Sequence, residues 1–238
     1  MSFVVDNITV TAEGRAVVRG LTLSVDPGAA VAIIGANGAG KSEAVLGLAG
    51  VLPVTDGKVQ IDGQDITNQT PDSIRKAGVA VVPEGHQVLD RLTVDENLRA
   101  AGALLREGLE DTLADVYTRF PELAERKSQN AGSLSGGQQQ MVAISHALMC
   151  RPKFLVIDEM SLGLAPLVVK RLIKAIETLK AEGLGIVLIE QFTDLALSVC
   201  EHAIIMRNAE VTYAGASDVL RDNPKELEKG YFGAPEDR

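Results

Sequence analysis

Apolar positions along the chain follow two different periods. Residues 3–10 and 21–25 read as strands, and the turn signal Asp26-Pro27-Gly28 leads into an unbroken apolar run at 29–34 that reads as a strand buried on both faces. Short strands follow at 59–61 and 79–82. The period then changes, and 94–107 and 108–120 read as helices; in the second, Leu113, Val116, Tyr117 and Phe120 share one face. Further on, strands at 154–157, 185–189 and 203–206 alternate with helices. One of these carries Val169, Leu172, Ile173, Ile176 and Leu179 on one side, with Pro166 opening it and Gly183 closing it.

Strands alternating with helices imply a largely parallel sheet with helices on its faces, an α/β fold. The stretch from about 84 to 150 supplies helices with no strands between them, and so reads as an insertion. We therefore expect one domain over 1–238, with a core at 1–83 and 151–238, a helical subdomain at 84–150, and a small antiparallel β layer ahead of the core. A length of 238 residues with 46% hydrophobic content is enough for a full core.

A formal charge of -9 argues against nucleic-acid binding, which calls for clustered Lys and Arg. No apolar run approaches the roughly 18 to 20 residues of a spanning helix, and residues 1–11 lack the regions of a signal peptide, so the chain is expected to remain in the cytoplasm. Cys150 and Cys200 are expected to be reduced, buried thiols without chemistry.

The segment Gly35-Ala36-Asn37-Gly38-Ala39-Gly40-Lys41-Ser42 fits G-x-x-x-x-G-K-[ST] between a buried strand and a helix. Glycines let backbone N–H groups turn inward around the β and γ phosphates of a nucleotide; Lys41 adds a charge, and the Ser42 hydroxyl suits Mg²⁺. This makes the α/β domain a P-loop nucleotide triphosphatase. The strand at 154–157 then delivers Asp158 and Glu159 at its C-terminal end, the edge where open α/β sheets bind ligands. Asp158 is expected to hold Mg²⁺ through water, and Glu159 to polarise the water that attacks the γ phosphate.

Leu134-Ser135-Gly136-Gly137-Gln138 is a second helix N-terminus built for an anion, with Ser135 as cap and unobstructed N–H groups at Gly136 and Gly137. With the phosphate loop before it and the Asp-Glu strand after it, the chain resembles the ABC ATPases over almost its whole length. In that family the signature of one subunit closes on ATP held by the phosphate loop of another. The resemblance places Glu84, in Val82-Pro83-Glu84-Gly85, where the family usually has a glutamine that serves Mg²⁺ and the attacking water, and Gln191 where it has a switch histidine. Together with Ser161-Leu162-Gly163-Leu164-Ala165-Pro166 and Tyr231-Phe232-Gly233, these features look like the smaller ATP-binding subunit of branched-chain amino acid importers, or of the related urea and amide importers.

The resemblance implies ATP and Mg²⁺ as ligands and a peripheral position on the cytoplasmic face of the membrane. It also implies integral-membrane permease subunits, a second ATP-binding subunit and an extracellular or periplasmic solute-binding protein as partners. The chain departs from the family at Glu43, where threonine is usual, at Ala12, near which an adenine-stacking ring is usual, at Met160, where proline is usual, and at His146, where arginine is usual. No partner cluster around His86, His146 or His202 suggests a metal. Two functions follow: a transport ATPase, or a mainly regulatory nucleotide-binding half of a heterodimer. A DNA-repair ATPase would need coiled-coil arms, and no heptad insertion is present.

Overall fold

In a computed structural model of the chain, which describes residues 1–105 and 107–233, two bulged strands come first: β1 (Phe3–Ala12) and β2 (Arg15–Val25). Their antiparallel register slips between Val5 and Ile8 and twice more before Thr11, with Asn7 at φ 49° and Gly20 at φ 68°. Such bulges bend a strand and break its alternation, which is why only 21–25 of β2 is legible as a strand in the sequence. β3 (Ala30–Gly35), α1 (Lys41–Leu48), β4 (Val54–Ile61), β5 (Gln64–Asp65), α2 (Pro71–Ala77) and β6 (Val79–Val82) follow.

The described chain between β6 and the next strand is helical: α3 (Val94–Gly102), α4 (Leu109–Arg119), α5 (Pro121–Ala124), a single 3₁₀ turn at Ala131–Ser133, and α6 (Gly136–Leu148). The expected helix over 94–107 ends early, at Gly102, with turn residues after it, and its position 106 lies outside the described residues, as do positions 234–238 of the expected domain span. The next helix begins at Leu109, because Gly108 caps it at φ 73°. Leu113, Val116, Tyr117 and Phe120 are all buried in one cluster, on the face that their spacing defines.

The last third alternates: β7 (Phe154–Asp158), α7 (Pro166–Ala181), β8 (Gly185–Glu190), α8 (Thr193–Val199), β9 (His202–Arg207), β10 (Glu210–Ala216), α9 (Ser217–Asp222) and α10 (Pro224–Phe232). β10 carries no fully buried residue; its core side is the half-buried pair Val211 and Tyr213, a weak strand signal in the sequence.

The strands join in the order β5-β4-β1-β2-β10-β9-β3-β8-β7-β6. The run β9-β3-β8-β7-β6 is parallel; β1, β2, β4 and β5 pair antiparallel. The expected antiparallel layer is hydrogen-bonded to the core sheet through β10, at the Glu210–Arg19 pair.

Alternation within β3 explains its unbroken apolar run. Ala30, Ala32 and Ile34 pack into one buried cluster with Leu172 and Ile176 of α7, whereas Val31 and Ile33 pack into the other with β1, β2 and α1. Both faces of the strand are dry, and burying each large aliphatic side chain contributes about 1.5 to 3 kcal/mol. Cys200 is buried; Cys150, expected to be so, is half-buried, with Sγ 3.5 Å from Arg75 Nη1. Among the described residues no helix is long and apolar enough to cross a membrane.

Asn97 fixes the path from the core into the helices. Fully buried on α3, its side-chain amide donates to the carbonyls of Leu89, Leu92 and Thr93, while its Oδ1 accepts from the Leu89 N–H at 2.8 Å. Asn97→Ala strands those groups, and thermal unfolding is expected to report a loss on the order of 2 to 4 kcal/mol; a loss under about 0.5 kcal/mol would contradict this role.

Candidate functional site

The phosphate loop leaves β3 at Gly35 and enters α1 through Gly40, which has φ 103°. A Cβ at Gly40 would run into the Val17 carbonyl, so only glycine fits this entry. Asn37 and Gly38 are exposed, whereas Ala39 is buried and its N–H donates to the Ala36 carbonyl at 3.2 Å. Lys41 is 4% exposed; its ammonium donates to the carbonyls of Gly35 (3.0 Å) and Ala36 (3.1 Å) and lies 3.7 Å from Glu159 Oε1.

Asp158 and Glu159 stand at the C-terminal end of β7 and are both buried. Burial pushes the Asp158 carboxyl up to about 6; a hydrogen bond from Ser42 opposes this, and the charges of Glu159 and Glu84 reinforce it. Asp158 Oδ1 is buried with no hydrogen-bond partner. A free carboxylate oxygen beside a serine hydroxyl is the hard oxygen donor set that Mg²⁺ takes when nucleotide phosphates supply its other ligands, so Ser42 and Asp158 fit that ion.

Glu159 has φ 47°, a left-handed conformation that costs a residue with a side chain about 1 to 2 kcal/mol. Its N–H donates to the Ile189 carbonyl of β8 at 2.9 Å. Glu84 and Gln191, both exposed, line the same cavity of about 270 Å³ as Asn37, Gly38, Lys41, Ser42 and Glu159. The structure therefore gathers around one cavity residues from four separate segments of sequence.

Ser135, Gly136, Gly137 and Gln138 do not line that cavity. They start α6 in a capping box: Ser135 Oγ accepts from the Gln138 N–H at 3.4 Å, and Gln138 Oε1 accepts from the Ser135 N–H at 3.0 Å. Gly137 is buried against Val168 of α7.

Three residues outside the expected site set lie at or beside this cavity. Leu162 lines the cavity from the loop after β7. Glu43 lines it too, half-buried and without a hydrogen bond or ion pair among the described residues. Glu190, the last residue of β8, is 1% exposed and accepts hydrogen bonds from Ser161, the N–H at 3.2 Å and the hydroxyl at 2.7 Å. Its signal was present, since β8 runs into an acid just as β7 does. Burial pushes Glu190 up to about 7; the Ser161 hydrogen bonds oppose that and the Glu159 charge adds to it.

Comparison with known proteins agrees with this geometry. A profile of the family described as ABC transporter matches residues 18–161. The chain belongs to the ABC transporter family. This is a family of ATPases whose ATP hydrolysis powers transport, and the chain is one of them. It is 38% identical to the high-affinity branched-chain amino acid transport ATP-binding protein BraG of Pseudomonas aeruginosa, over 90% of this chain and 91% of that one. It is also 30% identical to the lipopolysaccharide export system ATP-binding protein LptB of Escherichia coli K12, over 95% of each. Among solved structures, an ATP-binding cassette of an ABC transporter in its ADP conformation superposes with a TM-score of 0.84 at 28% identity, covering 96% of this chain and 98% of that one.

Two outcomes are expected of this ABC ATPase. Lys41→Ala should weaken ATP binding at least about 100-fold by calorimetry on the folded protein; unchanged affinity would remove Lys41 from the phosphate site. Ionised Glu190 destabilises the fold, because its pKa rises from the ordinary 4.5 to about 7 on folding. That penalty is full above pH 7 and fades toward pH 4.5. Glu190→Gln keeps the hydrogen-bonding shape without the charge, so it should stabilise the protein at pH 8, by on the order of 1 to 3 kcal/mol, and much less at pH 5. Calorimetric melts at the two pH values check this, and an equal effect at both would refute it.

Proposed function

We propose that the chain is the peripheral ATP-binding subunit of an importer for branched-chain or other hydrophobic amino acids, and that it works as half of a dimer that sandwiches nucleotide. The observation that carries this reading is the separation, within one chain, of the cavity lined by Lys41 and Glu159 from the helix start at Ser135–Gln138. Both are anion sites, yet only the first has the acids for hydrolysis, so the second is free to close on a phosphate held by a partner subunit. The likeness to BraG supports the amino-acid solute. The likeness to LptB is a reminder that similar cassettes serve other cargo.

In this reading the N–H groups of the loop at Gly35, Asn37, Gly38, Ala39 and Gly40 cradle the phosphates, and the Lys41 ammonium turns from the loop carbonyls to the β and γ oxygens. Ser42 and Asp158 hold Mg²⁺, with Glu84 near it; the ion, when bound, neutralises phosphate charge. Glu159 takes the proton of the attacking water, and the Gln191 amide donates to the γ phosphate without titrating near neutral pH. Ser135, Gly136, Gly137 and Gln138 act on the partner's nucleotide.

The permease docks on the cytoplasmic face of the membrane, in the groove lined by Val88, Leu89, Ala101 and His146 between Glu84 and the helices. A solute-binding protein completes the complex outside. The helices at 84–150 act as a subdomain of one ABC ATPase domain. A mainly regulatory role is a second reading, favoured by Glu43, whose unpaired carboxylate faces the phosphate cavity.

Glu159→Gln, purified with permease and partner subunit, should retain ATP affinity within about threefold, lower turnover by at least about 100-fold and accumulate ATP-bound dimers on size exclusion. Parental turnover in that variant would exclude Glu159 as the base of the site that does the work, and would favour the regulatory role. ATP-dependent uptake of leucine, isoleucine or valine into vesicles carrying the complex tests the solute.

A further inference from the structure

Glu190 has no place in the roles given above, yet its surroundings are built around it. It ends β8 between β3, where it pairs with Ile34, and β7, whose Asp158 pairs with the neighbouring Ile189. Every other residue of β8 is glycine or aliphatic, and the strand is buried throughout. A carboxylate at such a position carries a desolvation cost that an aliphatic residue would not. The cost is offset only through what the carboxylate holds.

It holds the turn after Glu159 to the end of β8, next to Gln191. Oε1 accepts from the Ser161 N–H and Oε2 from the Ser161 hydroxyl, two residues beyond Glu159. Glu159 itself sits at φ 47°, a conformation that persists only where neighbours over-determine it. The following residue, Met160, is fully buried, but its backbone lacks the ring that would fix φ. Its N-terminal neighbour is tied to β8 by the Glu159 N–H to Ile189 carbonyl bond, and its C-terminal neighbour by the Ser161 pair to Glu190.

We propose that Glu190 is a positioning residue of the hydrolytic site: its buried carboxylate ties the Ser161 turn to the end of β8, where Gln191 follows, and so holds the Glu159 carboxylate and the Gln191 amide at a fixed separation. This rests on reading Glu159 as the base. Without the tie, the turn at 159–161 relaxes from its left-handed start and the carboxylate moves relative to the attacking water. A displacement near 1 Å is enough to cost on the order of 100-fold in rate. The loop between β3 and α1, and the bonds of Lys41 to the Gly35 and Ala36 carbonyls, do not involve Glu190.

The test measures ATP affinity of the full chain, and kcat and KM of the complex with its permease and partner subunit, for five variants. Glu190→Ala should lower kcat about 10- to 100-fold, with affinity and KM within about threefold of the parent. Glu190→Gln, which still accepts from the Ser161 N–H and can donate to its hydroxyl oxygen, should stay within about threefold of the parental kcat. Ser161→Ala should lower kcat in the same direction, and Glu190→Ala with Ser161→Ala should fall no further than Glu190→Ala alone, the sign of a shared interaction.

Glu159→Gln is the fifth: if it retains turnover, the base assignment fails and the positioning role with it. If Glu159→Gln is inactive while Glu190→Ala turns over at the parental rate, the positioning role alone is overturned. Parallel loss of affinity and kcat in Glu190→Ala would also overturn it, as a general packing defect. Should Glu190→Ala not fold, Ser161→Ala decides: reduced kcat with unchanged affinity supports the role, and parental kcat refutes it.

Discussion

The cavity at the C-terminal ends of the core strands is organised by the buried ammonium of Lys41. Its charge lies within reach of Glu159, and the ammonium donates to the carbonyls of Gly35 and Ala36, so one cation joins the phosphate loop to the acidic end of β7. Around it stand Glu43, Glu84, Asp158 and Glu159, with Glu190 behind. Acids outnumber the cation, and the imbalance is visible in the raised values of Asp158 and Glu190, where burial comes first and neighbouring carboxylates add to it. A site with this balance meets a polyphosphate as a repulsion to be neutralised. The orphaned Asp158 Oδ1 beside Ser42 is where a divalent cation would do so.

How far this was legible in the sequence depends on which face of each element is dry. β3, β7 and β8 are buried on both faces, so their apolar runs read as strands within a residue or so of their true ends, and the motifs that follow them were found with them. The phosphate loop and the Asp158-Glu159 pair are contiguous in sequence and needed no tertiary information. β10 has only a half-buried face, at Val211 and Tyr213, and β2 is interrupted at Gly20, so half of one strand and all of the other gave only a weak period to follow. The helix after Thr93 ends before the sequence pattern suggests, at Gly102, because the apolar residues 103–105 beyond that glycine continue a helical composition.

The site residues divide along the same line. Glu84 and Gln191 were placed by resemblance and lie in the cavity, but their distance in sequence from Lys41 gave no physical reason to join them. Glu190 has a local signal, an acid closing an apolar strand. What the sequence could not supply was its partner. Ser161 meets Glu190 only because β7 and β8 are parallel neighbours, in register with Asp158 opposite Ile189.

That register also decides what the loop after β7 touches. Ser161 is bound to Glu190 at one end of the loop, while toward the other end Leu164 packs beside Gly136 and Val168 against Gly137, at the start of α6. A Cβ on Gly137 would collide with the Val168 side chain of α7, so the start of α6 and the start of α7, which the loop leads into, are in contact without slack. The segment from Glu159 to Val168 thus bears both on the acid at this chain's own cavity and on the helix N-terminus outside it. In a dimer in which each helix start closes on the partner's phosphates, displacement of that helix start would press on the loop that carries Glu159. Because packed segments shift between discrete arrangements more readily than they deform, binding at one site and readiness for hydrolysis at the other would change together.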